Sequence, residues 1–169
     1  MNEEQRRIRS YLQAQGAKLT PAELVEKVQG AMRDLRAAAA LVPAARFAQR
    51  PGPEDWSGNE VLAHVVAAGR YFGGAIVALA AGAVLPPRPT SRGNEGAPPR
   101  TAEEWLEILE QDRAALFARV LTADPAGHLD GTVEHPFFGP LNWRETLLFM
   151  RLHDLDHAGQ LKQIAAALA

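Results

Sequence analysis

Four positions in this chain carry the residue pattern that opens a helix, and apolar residues at helical spacing follow each of them. In such a capping box the side chain of the cap accepts from the third helical amide. A Glu at that third position reaches back to the cap's own amide. The instances are Thr20-Pro21-Ala22-Glu23, with Pro at the favoured first helical position, Ser57-Gly58-Asn59-Glu60, Thr101-Ala102-Glu103-Glu104 and Asn142-Trp143-Arg144-Glu145. Trp56 precedes the second cap and is placed to staple onto Val61. Four caps in register with four apolar stripes constrain the chain to an all-α four-helix bundle.

The first stripe, about residues 21 to 42, has Leu24, Val28, Met32, Leu35, Ala39 and Val42 at steps of three and four and stops before Pro43. The second, about 58 to 83, is apolar almost all round, so it predicts the most buried helix; Gly69, Gly73 and Gly74 suggest close backbone approach. The third runs from about 102 to 122 through Trp105, Ile108, Leu109, Leu116 and Val120, and the fourth from about 143 to 168 through Leu147, Phe149, Met150, Leu161 and Ile164. Upstream, Ile8, Tyr11 and Leu12 predict a short helix ending near Gly16. Residues 1–19 therefore read as an N-terminal helical extension packing on a bundle of residues 20–169. Between the last two helices, Leu129 to Phe138 includes Thr132, Val133, Phe137 and Phe138, a short β excursion ended by Gly139-Pro140.

The connector from 84 to 100 is rich in proline, and its 17 residues reach roughly 55 Å when extended. The second helix is roughly 40 Å long. An overhand crossover is therefore feasible, and the second and third helices need not be antiparallel.

Composition excludes more than it selects. With 47% hydrophobic and 22% charged residues in 169, the chain reads as one globular domain. The net charge is −2 and the basic residues are scattered, so neither nucleic acid nor a membrane surface is an expected partner. The charged start of the chain lacks an apolar signal core, and the longest apolar run, Ala75 to Leu85, is too short to cross a bilayer; a cytoplasmic location is expected. There is no cysteine, so any metal must be held by nitrogen and oxygen.

The chemistry concentrates at His153-Asp154-Leu155-Asp156-His157. Side chains four apart on a helix have Cβ atoms roughly 5–6 Å apart, and Zn–N bonds run roughly 2.0–2.1 Å, so both imidazoles can reach one ion. His64, on the second helix, supplies a third nitrogen from a facing helix. Three protein ligands leave a coordination position open, as in catalytic zinc sites. Asp154 reads as a solvated surface acid, whereas Asp156 or Gln160 is placed to orient a ligand imidazole. His128 and His135 lie in a breaker-rich connector and predict surface or capping roles.

Here the chain resembles the DinB-like superfamily of metal-binding bundles. The resemblance runs from about Thr20 to Ala169 and rests on three stretches: Trp56 to His64, His135 to Trp143, and His153 to Leu161. It implies an up-down-down-up bundle, a divalent metal such as zinc or nickel on His64, His153 and His157, and a homodimer. Better-understood relatives are bacillithiol or glutathione S-transferases and mycothiol-dependent maleylpyruvate isomerases. The leading expectation is thus a metal-dependent transferase acting on a small-molecule substrate with a low-molecular-weight thiol. Two alternatives stand beside it. One is a hydrolase in which the metal activates water and Asp156 or another nearby carboxylate relays a proton. The other is a non-enzymatic metal-binding stress-response protein, which would keep the triad without a substrate-sized cleft.

Overall fold

A computed structural model describes residues 1–169. Five α-helices account for most of the chain: α1 Glu3–Lys18, α2 Pro21–Leu41, α3 Gly58–Ala80, α4 Ala102–Thr122 and α5 Trp143–Ala167. The only sheet is a hairpin of β1 Val133–His135 and β2 Gly139–Leu141. The helices begin where their caps place them, with reciprocal boxes at Ser57, Thr101 and Asn142. Thr20 also caps, but Glu23 bonds to the Thr20 hydroxyl rather than to its amide. A further box, at a position the sequence reading did not mark, opens α1, where the Asn2 side chain and Gln5 bond reciprocally.

Hydrogen bonds between elements fix the topology. Asn59, in the first turn of α3, accepts from the Arg100 amide and from Trp105 Nε1, and donates to the Pro98 carbonyl. The chain after α3 has therefore travelled back to the beginning of α3 before α4 starts, and the two helices run parallel. Arg46, just past α2, donates to the Leu168 carbonyl at the end of α5. At the other end Arg144, opening α5, donates to the carbonyls of Gly16 and Leu19, next to the start of α2. Helices α2 and α5 are thus parallel to each other and antiparallel to α3 and α4, giving an up-down-down-up bundle. Around the bundle α2 packs on α5 and α4, α3 packs on α5 and α4, and α1 lies on α5.

Several boundaries differ from the sequence reading. The α3 helix stops at Ala80 instead of near 83, because Gly82 takes a left-handed conformation with φ 65°. Helix α1 runs through Gly16 to Lys18, and Gly16 packs against Glu145 of α5. In the hairpin, Phe137 and Phe138 form the turn, while Gly139 and Pro140 lie in the second strand, paired with His135 and Glu134. Gly69, Gly73 and Gly74 of α3 give only ordinary contacts: a Cβ at each would stand at least 3.5 Å from its neighbours. By length and a mean hydropathy of 1.5, α3 is apolar enough to cross a membrane, unlike the run read from sequence. Its half-buried apolar surface lies against α4 and α5.

The buried apolar residues form two clusters along the bundle. One holds Leu24, Ile76, Leu116, Leu147 and Met150, and the other Leu35, Val65, Leu109, Ala158 and Leu161. Between them along α4 and α5 lies a polar layer, Arg113, His153 and Asp154.

Candidate metal centre

His64 lies in the second turn of α3, while His153 and His157 occupy successive turns of α5. His157 stands face to edge with both other rings and His64 is tilted against His153 by 51°, with centroids 4.4 to 5.1 Å apart. His153 Nε2 is 3.1 Å from His64 Nε2 and 3.2 Å from His157 Nε2, and all three candidate ligand atoms lie within 4.8 Å of one another. Nitrogens on a tetrahedral ion with bonds of roughly 2.0–2.1 Å stand about 3.3 Å apart. Two of the separations therefore match a shared ion.

The outer nitrogens set the tautomers. His64 Nδ1 donates to the Arg92 carbonyl at 2.7 Å, and His157 Nδ1 donates to Gln160 Oε1 at 2.8 Å. Each of these rings then turns a bare Nε2 lone pair inward. His153 Nε2 can give a proton to one of them, which leaves the other lone pair unmet; a cation meets all three. Burial lowers the His64 pKa, and burial together with the neighbouring imidazoles and Arg113 drives that of His153 well below its usual value. Both rings are held in the neutral form that ligates metal.

The connector before α4 supports this arrangement at Gly93. Its φ is +81°, and a Cβ there would stand 2.4 Å from that of Ala67, so only glycine lets the chain lie this close to α3. The adjacent Arg92 carbonyl is thereby brought to His64.

The triad opens onto a cavity of about 650 Å³. Trp56 closes one side, its ring 5.2 Å from that of His64 and stacked on that of His157 at 6.5 Å. This packing on the imidazoles is the role of Trp56 that the sequence pattern did not reveal. The opposite end is aromatic, built by Tyr71 and Phe72 of α3, Phe137 and Phe138 of the hairpin, and Phe149 of α5. His135 belongs to this wall. Of the surface and capping roles read from sequence it fills the second: it is buried, and its Nδ1 caps the hairpin turn by accepting from the Phe137 and Phe138 amides. Burial, assisted by the charge of Arg88, lowers its pKa to about 4. His128 is exposed at the surface, with φ 56°.

Of the two candidates for orienting an imidazole, Gln160 makes the bond, to His157, whereas Asp156 is exposed at the cavity edge. Asp154 contradicts its surface reading outright. It is fully buried and bound at both oxygens by Arg113, at 2.8 and 3.0 Å. A signal was present: Arg113 stands four residues after Leu109 and three before Leu116, on the buried stripe of α4, where a cation demands a buried acid.

Fold and site together define a helical bundle whose three histidines, drawn from two helices, could hold a metal at the edge of a cavity. Residues 27–161 match the DinB superfamily, and the chain belongs to that superfamily. No curated protein and no solved structure matches it.

Proposed function

We propose that the protein binds a divalent metal, zinc or nickel, through His64, His153 and His157, and acts as an enzyme transferring a low-molecular-weight thiol to a small-molecule electrophile. The observation that carries this reading is the convergence of three Nε2 atoms beside a substrate-sized cavity. Neutral nitrogens suit zinc or nickel better than calcium or magnesium, which prefer oxygen. The bound ion supplies a Lewis acid that lowers the pKa of a thiol. The chain's own residues do the rest: the Arg92 carbonyl and Gln160 hold two ligand lone pairs inward, while the aromatic wall receives the electrophile and keeps water from it. With no cysteine in the sequence, the sulfur comes from outside. The choice of a thiol rests on the resemblance to thiol-dependent transferases. The same reading takes the protein as a cytoplasmic homodimer, whose mass sedimentation would give.

One observation favours hydrolysis as a second reading: the exposed carboxylate of Asp156 lines the cavity beside His157, where it could relay a proton from water. The cavity itself weighs against a non-enzymatic metal-binding stress-response protein. Turnover of an electrophile panel separates the first two. Transfer requires both metal and added thiol, and His153→Ala removes metal binding in calorimetry together with activity. Metal-dependent turnover that is indifferent to thiol would favour hydrolysis, and unchanged metal binding in the triple alanine variant would remove the site.

A further inference from the structure

At the mouth of the cavity the connector places Arg88 and Arg92. Neither pairs with a carboxylate; the five ion pairs of the protein lie elsewhere. Arg88 is nevertheless held in place. Its guanidinium lies over Tyr71, 5.9 Å from the ring centroid, and one amino group donates to the Glu134 carbonyl of the hairpin at 2.8 Å. It is a positioned cation with donors to spare. The lining has two arginines against one acid, Asp156, so with neutral imidazoles it carries one positive charge in excess.

The rest of the surroundings is aromatic. Phe137, at the tip of the hairpin, is 60% exposed although it lines the cavity, and Phe72 and Phe149 stand edge to face with centroids 5.2 Å apart. A large exposed aromatic beside a concave apolar wall is a surface prepared for an apolar guest. A guanidinium at the same mouth selects guests with an anionic end.

We propose that this cavity takes aromatic monocarboxylic acids, with Arg88 binding the carboxylate and the Phe72, Phe137 and Phe149 wall packing on the ring. The proposal rests on the functional reading above in that it names the class of small molecule brought to the triad. Arg88 sets specificity by charge. Phe137 contributes to every phenyl-bearing ligand, charged or not.

The test uses ω-phenylalkanoates, from phenylacetate to 6-phenylhexanoate, and their primary amides, titrated calorimetrically into the metal-free full chain. At the best chain length the acid binds about tenfold or more tightly than its amide, the worth of a charge-assisted bond. Arg88→Gln brings the acid down to the affinity of the amide, and Arg88→Lys keeps part of the preference. Phe137→Ala weakens acid and amide equally. Absence of binding across the series, equal binding of acids and amides, or a preference that survives Arg88→Gln overturns the proposal. So does a preference that vanishes in His153→Ala but persists in Arg88→Gln, because the carboxylate would then sit at the triad. Zinc titration of the same protein reads the metal assignment separately: acids that bind to a chain without zinc affinity leave this proposal standing and remove the functional reading.

Discussion

His153 and Asp154 are neighbours in α5, both polar, both in the layer that divides the two apolar clusters, yet they solve the cost of burial in opposite ways. On the Asp154 side, charge is cancelled inside the protein: two carboxylate oxygens meet two guanidinium nitrogens of Arg113, leaving only Arg113 Nε without a partner. On the His153 side, groups of the same kind converge, three imidazoles whose inward lone pairs cannot all be satisfied by one another. The first arrangement neutralises its own charges and serves the fold. The second could take up a cation, and it faces a cavity. Burial of a polar residue does not by itself identify a site; a set of converging lone pairs at a cavity wall does.

The sharpest way to break this comparison is to unbalance the Asp154 side. Asp154→Ala leaves the Arg113 charge buried at 2% exposure and is expected to cost about 3–5 kcal/mol in urea unfolding. Replacing both residues together, Arg113→Met with Asp154→Leu, is expected to restore most of that loss, because neither charge then needs a partner. A double variant as unstable as the single one would show that the pair is held for more than mutual neutralisation.

The sequence disclosed the two sides unequally. The triad was legible because its geometry is local on one helix, His153 and His157 being one turn apart, and because His64 interrupts an otherwise apolar stretch. Asp154 was misread because its partner lies 41 residues away on α4, and which face of α5 meets α4 depends on the order of helices around the bundle. The same limit applies to the cavity. Phe72, Phe137 and Phe149 come from three elements, and nothing in their spacing says that they share a wall. The caps were readable for the opposite reason: each pattern lies within four consecutive residues, although at Thr20 the Glu23 carboxylate takes the hydroxyl instead of the amide. The hairpin fell between, with β1 signalled by Thr132 and Val133, while the pairing of Pro140 with Glu134 hides a strand behind residues that usually end one.

A second test works on the His153 side without touching a ligand. Gln160 holds His157 through Nδ1, so it fixes the tautomer and aim of that ring. Gln160→Ala is expected to weaken zinc affinity about 10- to 100-fold in competition titrations, with the three ligands still present. Gln160→Glu, which keeps the acceptor and adds charge, should retain wild-type affinity or exceed it. Equal affinity in Gln160→Ala would mean that the bundle packing alone aims the ring.

The smallest effect concerns the fourth imidazole of the cavity, which sharpens the contrast because His135 is buried like the triad but spends its lone pair on the backbone. Its Nδ1 accepts from two turn amides, and protonation there would turn an acceptor into a donor facing donors. Its folded pKa of about 4 lies below the ordinary value of 6.5, so the unfolded chain takes up the proton first. The stabilisation is then complete above pH 6.5 and is lost as pH falls from there toward 4. Asn at this position keeps an acceptor in the place of Nδ1 and does not titrate. The stability advantage of wild type over His135→Asn, measured in metal-free buffer, is therefore expected to shrink by about 1 kcal/mol between pH 7 and pH 5.5. A difference that stays constant over that range would mean that His135 titrates alike in folded and unfolded chains, and that the hairpin turn does not depend on its neutral form.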